Sequence, residues 1–198
     1  MSTPLNESSL SRLYRQNLDH DCGALTAFRA SADCGTGAAY TKDDNRKRNR
    51  SLLAKLQQQG YSVTSLTGRY PEGGTVRTEE SYFVADLRDR GTLERDLRQF
   101  GELFEQDSVL FIPKGSIAGD AKARLIGTNR CRNNWLSYGH THTFDVGRLG
   151  HESPIYTSFV NGRPFIFEAV GESYGLPCTG FGWWGVALYA KKHWTEFD

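Results

Sequence analysis

The sequence predicts an α+β fold with a βαββαβ core, the ferredoxin-like or split βαβ order, followed by a β-rich C-terminal elaboration. Two helical segments, from Thr41 to Gly60 and over 92–105, separate short apolar runs. The connection between the second and third apolar runs contains one proline and three glycines within 68–74, which is typical of a turn. The order over 24–113 is therefore strand, helix, strand, strand, helix, strand.

The first helix of this core has start and stop signals. Thr41 is a suitable N-cap, and the acidic residues that follow it favour the positive end of the helix dipole. Leu52 and Leu56 lie one turn apart and supply an apolar stripe. Gly60 is typical of the position just after a helix end. The run at 24–30 is the predicted first strand.

The remaining core elements follow from hydrophobic periodicity. Residues 92–105 carry apolar side chains at i, i+4, i+7 and i+11, the spacing of one helix face. Apolar and β-branched runs predict the other three strands, at 61–66, 79–87 and 108–113.

Outside this core the patterns are shorter. Residues 8–18 favour a helix, and 123–128 a strand. Residues 156–170 contain Asn-Gly between two extended runs, which predicts a β-hairpin. A polar loop lies between those strands, and a last strand is predicted at 186–189. The predicted organisation is one domain over 1–198, composed of an N-terminal helical segment at 1–23, the core at 24–113 and the elaboration at 114–198.

Composition excludes several classes of protein. The 198 residues are 38% hydrophobic and 24% charged, with a net charge of +1, so no global field attracts nucleic acid or an anionic membrane. No apolar run has the length of a membrane span, and the N-terminus lacks a signal-peptide core. We therefore expect a cytoplasmic protein that does not bind membranes. Its four widely spaced cysteines are predicted to be free thiols.

Two overlapping motifs at 170–185 do not predict chemistry. Gly171–Gly175 matches the serine hydrolase elbow, but Pro177 is unsuited to the helix that should follow, and no acidic residue lies between Ser173 and His193. Gly180–Gly185 matches the dinucleotide fingerprint, yet only 13 residues follow it, too few for a βαβ unit. We interpret the stretch as a glycine-punctuated connection whose aromatic side chains dock the last segment.

Metal and acid–base sites are weakly indicated. His140 and His142 would lie on one face of an extended segment, but the spacing matches no closed zinc pattern. We therefore predict no metal and no cofactor. Glu79 and Glu80 point to opposite faces of a strand, so they cannot both serve one site. Glu80 or Glu168 alone could be a general base, but no pattern selects either.

Polar residues on core-building elements indicate a binding site. Asn45 and Asn49 lie one turn apart and extend the leucine stripe of the first core helix, with Arg48 beside them. Such residues either fix the adjacent loops at 31–40 and 68–78 or form an anion site at the helix N-terminus. Both interpretations stay open.

A second polar and aromatic stretch, at 127–138, offers a different kind of site. Arg130 could contact a phosphate while Trp135 stacks on a base. The alternative is a loop packed on its own aromatic side chains. Nucleic acid is a possible but not a favoured partner, because the net charge is near zero.

The runs DNRKRNRSLLAKLQQQGYSVTSLTGRY, EESYFVADL and FEQDSVLFIPKG resemble an uncharacterised family of small α/β proteins with a domain of unknown function, found in bacteria, phages and mobile elements. RLIGTNRC and NGRPFIFE also resemble it, so the likeness covers about residues 24–168. The resemblance implies a phage or mobile-element accessory protein and no enzyme class. Its motif residues are Asn45, Arg48, Asn49, Gly60, Tyr61, Gly68, Glu80, Ser81, Gln106, Asp107 and Ser108.

These observations predict a non-catalytic module that binds a nucleotide-like ligand or a host or defence-system protein. The alternatives are a small enzyme acting on a nucleotide or nucleic acid, with Glu80 or His140 and His142 as active groups, and a purely structural protein. The polar residues of the first helix should gather with others at one end of the sheet. The predicted ligand-binding residues are Asn45, Arg48, Asn49, Glu80, Gln106, Arg163, Arg130 and Trp135.

Overall fold

The computed structural model describes residues 9–30, 32–72, 75–131, 136–144, 157–160 and 163–165. This part of the chain forms three helices and eight strands, with short 3₁₀ turns at Asp33–Gly35 and Ser116–Ala118. The elements are α1 (Ser9–Asp19), β1 (Cys22–Leu25), α2 (Lys42–Gln58), β2 (Ser62–Glu72), β3 (Thr75–Ala85), α3 (Leu93–Leu103), β4 (Ser108–Ile112), β5 (Ala123–Gly127), β6 (Thr141–Phe144), β7 (Thr157–Val160) and β8 (Arg163–Phe165).

The eight strands form one antiparallel sheet in the order β6-β5-β4-β1-β3-β2-β7-β8. Its four middle strands, β4-β1-β3-β2, are those of the predicted βαββαβ unit, and each crossover carries a helix. This is the strand order of the ferredoxin-like fold, so the predicted α+β class is confirmed. β5 and β6 extend the sheet at one edge, and the β7–β8 hairpin extends it at the other.

Helix α2 begins and ends where its local signals predict. The Thr41 hydroxyl accepts a hydrogen bond from the Asp44 amide at 3.1 Å, and the Asp44 carboxylate accepts one from the Thr41 amide at 3.0 Å. This reciprocal capping box satisfies donors that the first turn leaves unpaired. Gly60 follows the helix at φ +80°, a conformation that other residues rarely adopt.

The core lies mainly between the sheet and helices α2 and α3. Leu52 and Leu56 of α2, and Leu97 of α3, are fully buried against alternate residues of the strands, such as Val84 and Val109. The residues between these on each strand face the opposite side of the sheet. That face is also buried, and α1 contributes its own buried side chain, Leu13.

Three elements differ from the prediction. β1 ends at Leu25, earlier than predicted, and β6 occupies part of the segment interpreted as a loop. β2 continues to Glu72, because it pairs with β3 at eleven successive positions, so most of the predicted turn at 68–74 is strand. Among the described residues, β7 pairs with β2 at Thr67–Arg69.

The C-terminal elaboration is described only in part. β7 and β8 pair with each other across the two residues 161–162, which confirms the hairpin. The stretch 170–185 and the strand predicted at 186–189 lie outside the described residues. None of the helices in the described part has the length and apolar character that crossing a bilayer requires.

The prediction of free thiols is wrong for two cysteines. Cys34 and Cys131 form a disulfide with a Cα–Cα distance of 5.4 Å, although they are 97 positions apart in the sequence. The sequence contains no signal for this pairing, because the fold brings the two segments together. Cys22 of β1 is a buried free thiol, and its burial raises the pKa well above the ordinary value.

A buried polar pair joins α2 to α3 at the end of α2 that is remote from Thr41. The Tyr61 hydroxyl donates a hydrogen bond to the Asp96 carboxylate at 2.6 Å. Burial, together with this carboxylate, raises the pKa of Tyr61 to about 12. Burial alone would raise the pKa of Asp96, but hydrogen bonds from Tyr61, Arg95 and Thr92 outweigh it and hold that pKa below the ordinary value.

This pair predicts an alkaline limit to stability. The pKa of Tyr61 in the folded protein exceeds the ordinary 10.0, so its stabilisation is complete below about pH 10 and is lost as the pH rises through about 12. Tyr61→Phe should lower the free energy of unfolding by about 1–2 kcal/mol at pH 7, measured by urea denaturation. The variant should also lose less stability than the wild type between pH 10 and 12. An equal alkaline loss in both proteins would contradict the assignment.

Candidate functional site

The candidate site lies where β1 stops pairing with its neighbours. The last pairs of β1 are Leu25 with Tyr82 of β3 and Ala24 with Leu110 of β4. β3 extends further in the same direction, and the chain after β1 leaves the ladder. We call residues 26–29 the exit segment. Its backbone groups need partners other than a strand, because buried amides and carbonyls are rarely left unpaired.

Two asparagines of α2 supply those partners. The Asn45 amide accepts a hydrogen bond from the Arg29 N–H at 2.8 Å and donates one to the Arg29 carbonyl at 2.9 Å. The Asn49 amide accepts from the Ala27 N–H at 2.8 Å and donates to the Glu80 carbonyl at 2.9 Å. Both asparagines are buried. The exit segment is therefore held by side chains of α2 where a strand would otherwise hold it.

Arg48 joins three structures at the same place. Its Nε donates to the Ala27 carbonyl at 2.9 Å, and its Nη2 donates to the Phe104 carbonyl at 2.6 Å. Its Nη1 donates to the Tyr40 hydroxyl at 3.2 Å, and the guanidinium lies 4.4 Å from the centre of the Tyr40 ring. Arg48 thus links the exit segment, the end of α3 and the segment before α2.

Gln106 completes the hydrogen bonding of the exit segment. Its side-chain amide donates to the Phe28 carbonyl at 3.1 Å and to the Phe104 carbonyl at 3.0 Å. The Phe104 carbonyl therefore accepts from both Arg48 and Gln106. These four polar side chains lie together, and their hydrogen bonds go mostly to backbone atoms. They therefore fix mainly the exit segment. The structural alternative in the sequence analysis expected them to fix the loops at 31–40 and 68–78.

A buried ionic cluster lies beside the exit segment. Arg29 donates to the Glu105 carbonyl and lies 3.5 Å from a carboxylate oxygen of Asp107. Asn129 donates to the same carboxylate oxygen at 3.1 Å. Burial raises the pKa of Asp107, although Arg29 and Asn129 both favour its ionised form. The Sγ of Cys131 lies 3.8 Å from Arg29, so the disulfide borders this cluster.

Glu80 is the exposed carboxylate of this region. Its backbone carbonyl is held by Asn49, whereas its side chain is open to solvent. Glu80 and Tyr82 are two positions apart on β3 and share one face of the sheet. Burial, and then the negative charge of Glu80, raises the pKa of Tyr82. A carboxylate on a fixed backbone can bind a cation or accept a proton.

The other predicted site residues do not join this cluster in the described contacts. Arg130 is exposed and stacks 3.7 Å from the centre of the Tyr138 ring. For Arg163 only the backbone of β8 is described, and Trp135 lies outside the described residues. His140 is exposed, and no group of three histidine, cysteine, aspartate or glutamate side chains in the described ranges is placed to hold a metal.

Sequence reasoning missed three members of the region. Thr26 donates its hydroxyl hydrogen bond to the Glu80 carbonyl at 2.8 Å, and Arg29 and Asn129 flank Asp107. Thr26 and Arg29 lie in the run that the sequence interprets as regular strand. They become site residues because β1 ends at Leu25, and no local sequence signal marks that end.

Fold and site together define an α+β protein with a ferredoxin-like core and a polar cluster at one end of its sheet. The family model of the S-adenosylmethionine lyase family matches residues 24–163, which includes the βαββαβ unit except for the first two residues of β1. The chain therefore belongs to the S-adenosylmethionine lyase family.

Two further comparisons concern solved structures and curated proteins. A solved phage SAM lyase in complex with S-methyl-5'-thioadenosine shares 17% identity with the chain. That match covers 65% of this chain and 91% of the other, with a TM-score of 0.26. No curated protein matches the chain.

The family membership corrects the functional prediction. A non-catalytic binding module and a purely structural protein are both wrong, because the family is one of lyases, which are enzymes. The predicted resemblance to a phage-associated family of small α/β proteins is confirmed in part. The family carries an activity in its name and is not one of unknown function.

Proposed function

We propose that the protein is an S-adenosylmethionine lyase, which breaks a carbon–sulfur bond of S-adenosylmethionine without water. The match of the family model to residues 24–163 carries this proposal. The alternative that the sequence left open, a small enzyme acting on a nucleotide, is the closer of the earlier hypotheses, because S-adenosylmethionine is an adenosine derivative. A cytoplasmic location and a host or defence-system partner stay predictions.

The chemistry of the substrate explains why a site with few catalytic groups is sufficient. The sulfur is a positively charged sulfonium, so it leaves as a neutral thioether and takes the electron pair of the broken bond with it. No acid has to protonate the leaving group, and no metal has to polarise it. The protein has to orient the amino-acid chain of the substrate and supply a base or a counter-charge.

Two waterless routes satisfy this chemistry, and Glu80 has a role in each. In an elimination, a base removes a proton from the carbon next to the one that bears sulfur, and a double bond forms as the thioether leaves. In a cyclisation, the substrate's own carboxylate attacks the carbon that bears sulfur and closes a lactone ring. We propose that the Glu80 carboxylate is the base in the first route, or holds the substrate ammonium group in the second.

The direct test is incubation of the purified protein with S-adenosylmethionine, followed by mass spectrometry. We expect the adenosine thioether to form together with an unsaturated amino acid or a lactone. These two co-products are isomers of equal mass, so proton NMR, which detects vinyl protons only in the unsaturated amino acid, distinguishes the two routes. In water enriched in oxygen-18, neither primary product should acquire the label. An intact substrate, or a labelled primary product, would contradict a lyase.

Glu80→Gln tests the proposed role of the carboxylate. The variant should lower kcat by about 100-fold or more, the range typical of removing a positioned acid–base group. Its stability should be unchanged within about 0.5 kcal/mol, because the substituted side chain is exposed and its backbone hydrogen bonds remain. Glu102→Gln is the matched control, an exposed glutamate on α3 that should keep activity within about twofold.

A further inference from the structure

The hydrogen bonds of Asn49 lie at a position where β1 and β3 could pair with each other directly. β1 and β3 pair in register through Leu25 and Tyr82. One more step of the ladder would place Thr26 opposite Ser81, and the next would place Ala27 opposite Glu80. Direct pairing at that step would satisfy both backbones without any help from α2.

The Asn49 amide stands between these two backbones. Its oxygen accepts from the Ala27 N–H at 2.8 Å, and its nitrogen donates to the Glu80 carbonyl at 2.9 Å. One side-chain amide thus replaces a single ladder contact and separates the two chains by its own width. We call this arrangement the Asn49 wedge.

The wedge is built where an apolar residue would be the simpler choice. Asn49 is 1% exposed and lies on the same helix stripe as the fully buried Leu52 and Leu56. Burying an amide costs free energy unless each polar atom is paired. Ladder pairing would satisfy the Ala27 N–H and the Glu80 carbonyl directly, without Asn49. The effect of Asn49 is therefore to separate β1 from β3 at this point.

The same wedge fixes the backbone of Glu80 from two sides. The Glu80 carbonyl accepts from Asn49 and also from the Thr26 hydroxyl at 2.8 Å. Thr26 lies at the start of the exit segment, and its hydroxyl also accepts from the Phe28 N–H at 3.0 Å. Glu80 therefore stands at the point where the two chains separate, with its backbone held and its carboxylate exposed.

We propose that Asn49 and Thr26 are positioning residues, which open β1 from β3 and hold the Glu80 carboxylate toward the amino-acid moiety of the substrate. This inference rests on the proposed function, because it assigns a purpose to the geometry around Glu80. Neither residue touches the substrate. Both act through the Glu80 backbone, so their loss should affect orientation more than binding.

Two substitutions weaken the Asn49 wedge to different degrees. Thr26→Val keeps the shape of the side chain and removes the hydroxyl, with its hydrogen bonds to the Glu80 carbonyl and from the Phe28 N–H. Asn49→Asp keeps the acceptor for Ala27 and removes the donor to Glu80. We expect kcat to fall by about 10-fold in the first and about 100-fold in the second, with KM within about threefold.

Tyr61→Phe is the matched control, because it also removes a buried hydrogen bond but lies at the other end of α2. Its kcat and KM should equal those of the wild type at temperatures where the variants are folded. If Thr26→Val and Asn49→Asp behave like Tyr61→Phe while the wild type is active, the wedge is only structural and the inference is wrong. If Asn49→Asp does not fold, Thr26→Val alone decides. A wild type without lyase activity would overturn the proposed function, and the positioning role with it.

Discussion

Arg48→Met should lower the free energy of unfolding by about 3 kcal/mol. The guanidinium donates to the backbone carbonyls of Ala27 and Phe104 and to the Tyr40 hydroxyl. Methionine retains most of the length of the side chain but none of its donors. The two carbonyls would lose charge-assisted hydrogen bonds in a partly buried place, where each such loss costs about 1–3 kcal/mol.

The matched control for this prediction is Arg50→Met on the same helix. Arg50 is exposed, so this substitution should change stability by less than about 0.5 kcal/mol. Urea denaturation followed by circular dichroism measures both variants. Equal effects of the two substitutions would show that Arg48 does not hold the exit segment as we describe.

Removing the disulfide should lower the free energy of unfolding by about 3 kcal/mol, within the usual range for such bonds. The bond joins Cys34 to Cys131, which are 97 positions apart, so it restricts the unfolded chain strongly. It also ties the segment before α2 to the ionic cluster, since the Cys131 N–H donates to Asn129 at 2.9 Å. The double variant Cys34→Ser/Cys131→Ser is the test, measured by denaturation without reductant.

Reductant provides the internal control for this second prediction. Dithiothreitol should lower the Tm of the wild type toward that of the double variant and should leave the double variant itself unchanged. Peptide mapping without reduction should recover the Cys34 and Cys131 peptides as one linked species. Recovery of both as free, alkylated thiols would show that the bond does not form in the purified protein.

Much of the candidate site could be predicted from the sequence because its members are polar residues on otherwise apolar elements. Asn45 and Asn49 extend a leucine stripe, which indicates that each amide faces the core and needs a partner. The identity of the partners could not be predicted. Asn49 bonds to Ala27 and Glu80, which are 22 and 31 positions away and come together only when β1 lies beside β3.

The proposed reaction could not be predicted from the sequence because its chemistry requires no motif of fixed spacing. Metal sites and catalytic triads leave recognisable patterns of ligands and nucleophiles. A sulfonium substrate brings its own leaving group, so a positioned carboxylate such as Glu80 can be sufficient. A single exposed glutamate on a strand is indistinguishable from any other in the sequence. The family match, and not a motif, identified the class of enzyme.

Local sequence signals were sufficient to predict the helices, the order of the core elements and the polar positions of α2. These depend on capping, glycine conformation and periodicity, which act over a few residues. Tertiary structure alone decided where β1 ends, that β6 forms, that β2 continues past Gly68, and that Cys34 meets Cys131. Each of these depends on pairing between segments far apart in the chain, whose free energy is gained only when the sheet is assembled.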